Sequence, residues 1–425
     1  MRIGVAGLGT VGGGVVRVLA ERAHDLGRRA GRGIMLSQVC ALDRGKRRPH
    51  GMAELRWARS ALDLAQSDAD IVVELIGGEN GIALDLIWAA LNNGKHVVTA
   101  NKSLLARHGA DLAELAEKKG VALKFEAAVA GGIPIVKALR ESLVAHGVGA
   151  VRGILNGTCN FILTQMEATG RSFSDVLAEA QRLGFAEADP SLDIGGQDTA
   201  HKLALLAALA FGIRPGLDQI AVDGIARITP EDITFAREFG YRIKLLGVAR
   251  QGPDGIDQRV HPAMVKLGTP LADVEGAFNA VVADAGQAGP FFFAGRGAGQ
   301  APTASAVIAD IVDIARGAIG PSFGLPAKEL QVTRPAPDSA RASAYYLRFQ
   351  ALDVPGVLAE IAARLARANV SIESMIQRGR SLSESVAIVM ITHPCPPIAV
   401  ESALNDIAAS DKILDAPTLI HMEPA

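Results

Sequence analysis

The sequence predicts an α/β fold that begins with a Rossmann-type, doubly wound parallel sheet. Up to about residue 126, short β-branched runs alternate with stretches of helical periodicity, which is typical of a parallel sheet covered by helices on both faces. A glycine-rich turn, Gly7 to Gly12, directly follows the first of these runs. Beyond Gly131 the rhythm changes, and the change predicts an α+β domain followed by a ferredoxin-like βαββαβ module.

Each element of the first domain is predicted from hydrophobic periodicity. Short apolar runs predict strands at residues 3–6, 36–42, 70–75, 96–99 and 121–125. Apolar residues at helical spacing predict helices at residues 11–26, 82–92 and 104–118. Strands and helices therefore alternate through this domain, as a doubly wound sheet requires.

The rest of the chain is expected to form a second and a third domain. Helices are predicted at residues 133–144, 161–167, 175–183 and 303–315. Strands are predicted at residues 243–249, 258–265, 277–283 and 290–294, and they are expected to be antiparallel because turn residues separate most of them. Residues 317–342 contain four prolines and predict a linker. The tail has the order βαββαβ, at residues 345–351, 356–368, 371–377, 385–391, 398–407 and 413–422.

Composition limits the class of ligand and the cellular setting. At 425 residues the chain is too long for one core, since domains usually contain about 100 to 200 residues. A net charge of -2 suits neither nucleic acid nor an anionic membrane, so a small-molecule substrate is expected. The three widely spaced cysteines argue against disulfides or a zinc site, and no secretory signal or membrane span is expected. A reducing cytoplasm fits these features.

The glycine turn has the GxGxxG spacing of a dinucleotide-binding motif. Gly7 permits the tight turn, Gly9 lets the backbone approach a pyrophosphate, and Gly12 lets the helix pack on the strand. Amides at the start of the helix, at Thr10 and Val11, are expected to face the phosphates together with the positive end of the helix dipole. Because a strand and a helix flank the motif, a dinucleotide site is favoured over an ordinary glycine turn.

The end of the second predicted strand should distinguish NAD from NADP, but its signal is mixed. Asp43 can accept hydrogen bonds from the ribose 2′-hydroxyl of NAD, whereas Arg44 suits the 2′-phosphate of NADP. The basic residues Lys46, Arg47 and Arg48 also favour NADP, but they are equally compatible with a solvated turn. The cofactor is therefore expected to be NAD or NADP.

A lysine follows the predicted strand at residues 96–99, at the edge of the sheet. Open α/β sheets bind their ligands at this edge, so Lys102 is a candidate site residue. The alternative is that Asn101 caps the next helix and Lys102 is solvated.

Residues 184–202 place several carboxylates directly before an apolar helix. These carboxylates belong to Glu187, Asp189, Asp193 and Asp198. Asp198 and Lys202 are four residues apart and share one helix face. Apolar surroundings lower the pKa of a lysine, whereas a neighbouring carboxylate raises it. The alternative is a solvated loop with one salt bridge within the helix.

In combination, these stretches strongly resemble homoserine dehydrogenase. The resemblance covers roughly residues 1–320 and is carried by residues 7–14, 99–103, 156–161, 184–202 and 295–304. The tail resembles an ACT domain at residues 353–358 and 369–372. The resemblance implies a nucleotide-binding domain at residues 1–131, a substrate-binding, catalytic and dimerisation domain at 132–320, a linker at 321–343 and an ACT regulatory domain at 344–425. The helix at residues 303–315 is expected to pack back on the first domain.

The resemblance also implies a reaction and roles for its residues. Homoserine dehydrogenases interconvert L-aspartate 4-semialdehyde and L-homoserine with a nicotinamide cofactor, on the route to threonine and methionine. By the family pattern, Lys202 matches the acid/base lysine, and Asp198 matches the carboxylate that holds the substrate with it. Lys102 matches a second lysine that contacts cofactor and substrate.

Further matches concern the substrate's amino group, the nicotinamide and a cation. Glu187 is expected to bind the amino group, with Asp193 as a further substrate-binding residue. Gly184 and Gly299 match positions that line the nicotinamide and its ribose. The family also uses a structural monovalent cation, usually sodium, and the matching residues are Glu126, Val129, Gly131 and Ile133.

The tail is expected to bind an effector. The hypothesis is feedback by threonine through Asp353, Gly356 and Asn369, because the turn before the helix offers backbone amides to an amino-acid carboxylate. A module that only dimerises and binds nothing is the alternative. A homodimer or homotetramer is expected.

Two departures from the family pattern and two rival functions remain. Leu42 stands where many members have arginine, and Cys159 stands where threonine is commoner. Cys159 is expected to be a packing residue, since hydride transfer needs no thiol. The first rival, aspartate-semialdehyde dehydrogenase, needs a cysteine with a histidine base, and Cys159 has no obvious histidine in the sequence to act as that base. The second, an inactive amino-acid sensor, is disfavoured by the intact charged residues.

Overall fold

The structure, a computed structural model, describes residues 1–45, 55–332, 334–337, 342–378 and 385–423. Lys46, Arg47 and Arg48 lie outside the described residues. The chain divides into two compact units. The first consists of Met1–Gly157, Asp198–Ile220 and Phe278–Thr333, and the second of Thr158–Gln197, Ala221–Ala277 and Arg334–Ala425. No helix in the described ranges is both long and apolar enough to cross a membrane.

The first unit begins with a five-stranded parallel sheet. Its strands are β1 (Arg2–Ala6), β2 (Met35–Cys40), β3 (Ile71–Glu74), β4 (His96–Thr99) and β5 (Leu123–Lys124), in the order β2-β1-β3-β4-β5. The connecting helices are α1 (Thr10–Ala30), α2 (Ala61–Gln66), α3 (Ile82–Asn92) and α4 (Lys102–Lys119). Residues of β1 and β3 are almost completely buried, as expected for parallel strands covered on both faces. The predicted Rossmann-type sheet is confirmed.

Local signals explain where the helices of this sheet begin and end. The side chain of Asn101 accepts a hydrogen bond from the Leu104 amide and so caps the start of α4. Helix α4 ends at Gly120, which adopts the left-handed conformation that terminates helices. Helix α2 was not expected from periodicity because it is only six residues long, although Ser60 and Asp63 form a capping box at its start.

The first unit also contains an antiparallel strand set and three further helices. The strands β6 (Ala150–Ile154), β10 (Phe278–Asp284) and β11 (Pro290–Arg296) lie in the order β11-β10-β6. The helices are α5 (Ile135–Lys137), α9 (Gln197–Phe211) and α11 (Gln300–Ala315). Apolar residues of α11 and α1 share one buried core. The long helix expected at residues 133–144 is instead the short α5 followed by a π-helical turn, Ala138–Ser142.

The second unit combines helices with a mixed sheet. Its helices are α6 (Gly157–Thr169), α7 (Phe173–Arg182), α8 (Ser191–Ile194), α10 (Pro230–Glu238), α12 (Val357–Arg367) and α13 (Pro397–Ala408). Its strands are β7 (Ala221–Val222), β8 (Tyr241–Gly252), β9 (Gly255–Lys266), β12 (Tyr345–Leu352), β13 (Ile372–Gln377), β14 (Ser385–Thr392) and β15 (Thr418–Met422). The order β8-β9-β15-β12-β14-β13 forms the sheet, and β7 pairs with β9. The tail has the expected βαββαβ order, but β15 also pairs in parallel with β9.

Candidate active site

The glycine turn between β1 and α1 has the shape of a phosphate cradle. Gly7 has a φ of +94°, and a Cβ atom there would lie 2.3 Å from the Leu75 carbonyl oxygen, so only glycine fits. A Cβ atom on Gly12 would lie 1.8 Å from the Gly7 carbonyl oxygen. By contrast, nothing lies within 4 Å of a Cβ atom built on Gly9. The helix start at Thr10 and Val11 therefore has open space beside Gly9, which fits a dinucleotide pyrophosphate.

The end of β2 presents an acid and an anchored arginine. Asp43 is exposed, and its Oδ1 atom accepts a hydrogen bond from the Gly45 amide at 2.8 Å. The Arg44 guanidinium donates to the Ala58 carbonyl oxygen and lies 5.8 Å from the centre of the Trp57 ring. Both residues are thus at the expected place, but their geometry favours neither NAD nor NADP.

Two lysines and one aspartate from separate elements meet in the first unit. Lys202 Nζ lies 2.7 Å from Asp198 Oδ2, and Lys102 Nζ lies 3.1 Å from Asp198 Oδ1. Asp198 and Lys202 are one turn apart on α9, so the helix itself aligns them. Lys102 comes from the first turn of α4, at the carboxyl edge of the parallel sheet. Three predicted site residues are therefore brought together.

Two groups next to this cluster were not assigned from the sequence. The Asn156 side chain donates a hydrogen bond from Nδ2 to Asp198 Oδ2 at 2.9 Å. Lys202 Nζ donates to the Leu155 carbonyl oxygen at 2.7 Å. Asn156 belongs to a motif that the sequence singles out, so a polar residue there was a usable signal. The Leu155 carbonyl oxygen gives no such signal in the sequence, since every residue provides that atom.

The two lysines determine the charge state of Asp198. Burial alone would raise the pKa of its carboxyl, but the charges of Lys202 and Lys102 and the hydrogen bonds from Lys202 and Asn156 outweigh burial. The pKa of Asp198 therefore lies well below its ordinary value. The carboxylate is ionised at neutral pH, and Lys202 is 11% exposed while Lys102 is 37% exposed. A buried anion thus faces one buried and one partly accessible ammonium group.

The acidic stretch before α9 lies in the second unit, where Glu187 and Asp189 are exposed. The backbone carbonyl oxygen of Glu187 accepts a hydrogen bond from Gln181 at 3.1 Å. The Glu187 carboxylate takes no part in that hydrogen bond. Asp193 lies on α8. Gly184 follows α7 with a φ of +77°, a conformation that favours glycine.

Residues 126–133 form a tightly held turn in the first unit. The Glu126 amide donates to Asp310 Oδ2 at 2.8 Å, and the Glu126 carboxylate accepts from the amides of Val136 and Lys137, each at 2.9 Å. Burial and the nearby Asp310 raise the pKa of Glu126 to about 7. An excess of buried carboxyl oxygen is compatible with a hard monovalent cation.

Glycines hold this turn against the start of α11. A Cβ atom on Gly131, whose φ is +51°, would lie 2.4 Å from the Gly297 carbonyl oxygen. Gly299, with a φ of +117°, caps the start of α11. The Ile133 carbonyl oxygen accepts from the Ile135 amide at 2.8 Å but keeps a second lone pair. Val129 is buried in the same turn.

Comparison with known proteins covers the whole chain. Residues 7–126 match the NAD-binding domain of homoserine dehydrogenase, residues 134–312 match homoserine dehydrogenase, and residues 345–410 match the ACT domain. A homoserine dehydrogenase of Neisseria gonorrhoeae is 46% identical, over 100% of this chain and 98% of that protein. The chain belongs to the homoserine dehydrogenase family.

Solved structures agree with this membership. A homoserine dehydrogenase from Thiobacillus denitrificans is 44% identical with a TM-score of 0.93, covering 100% of this chain and 98% of that one. A homoserine dehydrogenase of Staphylococcus aureus at pH 7.5 is 30% identical with a TM-score of 0.79, covering 100% and 99% of the two chains. The fold and family expected from the sequence are thus confirmed.

Membership of the homoserine dehydrogenase family also bears on Cys159. Its side chain is completely buried, and Sγ donates a hydrogen bond to the Asp193 carbonyl oxygen at 3.2 Å. A nucleophilic cysteine is instead found in a partly exposed, electropositive environment. The thioester chemistry of an aspartate-semialdehyde dehydrogenase therefore has no support at this residue.

The ACT domain of this homoserine dehydrogenase family member presents the turn before α12. Gly356 has a φ of +93° and precedes the first residue of the helix. Asn369 has a φ of +59°, and its amide donates to the Ala366 carbonyl oxygen at 3.0 Å, so it ends α12 in the left-handed conformation. Asp353 lies in the segment that connects β12 to α12.

Proposed function

We propose that the chain catalyses the reversible interconversion of L-aspartate 4-semialdehyde and L-homoserine with NAD or NADP. The observation that carries this proposal is the contact of one buried carboxylate, Asp198, with the ammonium groups of Lys102 and Lys202. Family membership supports the same reaction. An enzyme that reduces an aldehyde needs a positioned proton donor, and the lysine pair provides one.

Lys202 is proposed as the acid/base group. In the reductive direction its ammonium donates a proton to the oxygen that develops negative charge, and in the oxidative direction the neutral amine accepts the hydroxyl proton. Asp198 balances the charge and, with Lys202, holds the substrate. Lys102 contacts substrate and cofactor from the edge of the sheet. A bound nicotinamide supplies or receives the hydride.

Glu187 and Asp193 are proposed to recognise the substrate's ammonium group. The substrate carries an ammonium and a carboxylate, so it needs acidic as well as basic partners. Glu187 offers an exposed carboxylate for this purpose. Gly184 and Gly299 are proposed to line the nicotinamide ribose, and both have positive φ angles, a conformation that favours glycine.

The cofactor proposal includes both NAD and NADP. The first unit provides the glycine cradle at Gly7, Gly9 and Gly12, and Asp43 and Arg44 are proposed to contact the adenosine ribose. Asp43 supports binding of the 2′-hydroxyl, whereas Arg44 supports binding of a 2′-phosphate. Kinetic comparison of the two cofactors decides between them.

A structural monovalent cation is proposed at the turn of residues 126–133. Oxygens of Glu126, Val129, Gly131 and Ile133 would hold it, since backbone carbonyls and a carboxylate suit a hard cation. The buried carboxyl groups of Glu126 and Asp310 support this assignment, because a cation would offset their burial. The cation would stabilise the turn and has no step in the reaction.

The ACT domain is proposed to bind threonine at Asp353, Gly356 and Asn369, and the chain is proposed to form a homodimer or homotetramer. A feedback effector fits an enzyme of amino-acid biosynthesis that carries this domain. Cys40, Cys159 and Cys395 are all thiols outside any disulfide, which supports a location in the reducing cytoplasm.

A spectrophotometric assay tests the proposed function. Homoserine oxidation is followed by formation of reduced cofactor, with NAD and NADP side by side and with threonine present or absent. The proposal predicts homoserine-dependent reduction of at least one cofactor and inhibition by threonine. Absence of turnover with both cofactors, together with threonine binding in calorimetry, would instead support an inactive amino-acid sensor.

A further inference from the structure

Glu74 is a completely buried carboxylate at the end of β3, and none of the roles above uses it. One oxygen, Oε1, accepts hydrogen bonds from the amides of Ile76 at 2.7 Å and Gly77 at 3.0 Å. The other oxygen, Oε2, accepts from the Thr99 hydroxyl at 2.6 Å. Glu74 therefore joins the loop after β3 to the end of the neighbouring strand β4.

The contact with Thr99 continues to the start of α4. Thr99 Oγ1 accepts a hydrogen bond from the Asn101 amide at 3.0 Å, and Asn101 Nδ2 donates to the Gly78 carbonyl oxygen at 2.7 Å. Asn101 Oδ1 then caps α4 by accepting from the Leu104 amide at 3.2 Å. Lys102 is the first residue of that helix. The chain of hydrogen bonds thus leads from Glu74 to Asn101, the residue directly before Lys102.

The same loop also touches the phosphate cradle. The Leu75 amide donates to the Ala6 carbonyl oxygen at 2.8 Å, and the backbone of Leu75 packs so closely on Gly7 that no Cβ atom fits between them. Gly77 and Gly78 both have a φ of +87°, a conformation that favours glycine in this loop. The loop that follows Glu74 therefore contacts both the cradle and the Thr99–Asn101 turn.

We infer that Glu74, acting through Thr99 and Asn101, is a positioning residue that fixes Lys102 relative to the cofactor cradle and Asp198. The inference rests on the proposed role of Lys102 in the reaction. Burial of a carboxylate costs free energy unless its oxygens are hydrogen-bonded. Glu74 is therefore stable in this position only while its hydrogen bonds to the loop are intact. Loss of the link lets the start of α4 shift, and a shift of about 1 Å is enough to lower turnover strongly.

Substitution of Thr99 tests the link with a matched control. Thr99→Val keeps the shape but removes the hydroxyl, whereas Thr99→Ser keeps the hydroxyl. We expect Thr99→Val to lower kcat for homoserine oxidation by about 10- to 100-fold, and Thr99→Ser to stay within about threefold of the wild type because its hydrogen bonds are retained. Unchanged kcat in Thr99→Val, with only a lower melting temperature, would overturn the inference.

A double-variant cycle separates positioning from general damage. If Thr99 acts through Lys102, then Thr99→Val combined with Lys102→Ala is no slower than Lys102→Ala alone, within about twofold. Multiplied losses in the double variant would contradict the inference. Should Thr99→Val fail to fold, Thr99→Ala takes its place in the same cycle, since it also removes the hydroxyl and introduces no larger side chain.

A binding measurement distinguishes failure of the inference from failure of the proposed reaction. Wild-type protein that reduces neither cofactor with homoserine would refute the proposed function. The cycle is then measured on the dissociation constant of NADPH or NADH from its fluorescence, because Lys102 is also proposed to contact the cofactor. Non-additive losses of affinity in Thr99→Val and Lys102→Ala support the link, and additive losses overturn it.

Discussion

Lys102 Nζ and Asp198 Oδ1 lie 3.1 Å apart although the two residues are 96 positions apart in the sequence. Helix α4 contributes the lysine and helix α9 contributes the aspartate. The contact makes Asp198 the shared partner of two ammonium groups, since Lys202 binds its other oxygen. Such a carboxylate holds both ammonium groups in position, and the next two predictions depend on it.

Removal of the Asp198 charge should slow the reaction more than it disturbs the fold. We expect Asp198→Asn to lower kcat for homoserine oxidation by about 100-fold or more, because both lysines lose their charged partner and the acid/base group, Lys202, is no longer held in place. Steady-state kinetics measure the effect. Asp218→Asn, at an exposed position of the same unit, is the control and should retain wild-type turnover.

The pH dependence of stability should reveal the lowered pKa of Asp198. A carboxyl whose pKa is depressed in the folded state stabilises the fold above its unfolded pKa of about 3.9, and this contribution is lost as the pH falls below that value. The difference in melting temperature between wild type and Asp198→Asn should be constant from about pH 5 to 7 and change in favour of the variant below about pH 4. A difference that stays constant down to pH 3 would be inconsistent with the lowered pKa.

Two glycines of the cradle should respond differently to alanine. Gly9→Ala adds a methyl group to open space at an ordinary φ of −74°, so the fold should persist while cofactor affinity falls. Gly12→Ala places its Cβ atom against the Gly7 carbonyl oxygen, so both stability and affinity should fall. Thermal melts and fluorescence titration of the reduced cofactor measure the two effects. Equal melting temperatures for both variants would contradict the geometry.

A buried ion pair in the second unit should be important for stability. Asp232 on α10 is fully buried and accepts hydrogen bonds from Arg348 Nε at 2.6 Å and from the Tyr346 hydroxyl at 3.0 Å. We expect Asp232→Ala to lower the free energy of unfolding by about 3 to 5 kcal/mol, because it leaves the largely buried Arg348 guanidinium without its buried charged partner. Urea denaturation followed by circular dichroism measures the loss.

Glu231 provides the control for Asp232. It also lies near Arg348, at 3.6 Å, but its side chain is 41% exposed. Glu231→Gln should therefore change the free energy of unfolding by less than about 1 kcal/mol, as is usual for exposed ion pairs. Similar losses of unfolding free energy in Asp232→Ala and Glu231→Gln would show that burial does not determine how strongly a carboxylate near Arg348 stabilises the fold.

Most of the fold was predictable because its signals are local. Strand β1, the turn at Gly7 to Gly12 and helix α1 follow one another in the sequence, and periodicity with glycine spacing identifies all three. The βαββαβ order of the tail was predictable for the same reason. The strand β6 was missed because Arg152 and Gly153 interrupt its apolar run. The pairing of β15 with β9 joins distant segments, which no local pattern encodes.

The candidate site was predictable in its charged residues and not in their surroundings. Spacing of four residues placed Asp198 and Lys202 on one helix face, and family resemblance added Lys102. The contact of Lys202 with the Leu155 carbonyl depends on backbone position alone, so residue type gives no signal for it. Glu74 could not be identified from the sequence for a different reason. A single acidic residue at the end of an apolar strand indicates a positioning role only once its hydrogen bond with Thr99 is known.

The pH profile of homoserine oxidation tests the central claim most directly. The neutral amine of Lys202 must accept the hydroxyl proton, so kcat of the wild type should rise from about pH 6 to 10. Lys202→Ala should lose nearly all turnover, by about 100-fold or more, and its residual rate should lack this rise. A flat wild-type profile over that range, or near-normal turnover in Lys202→Ala, would contradict the account.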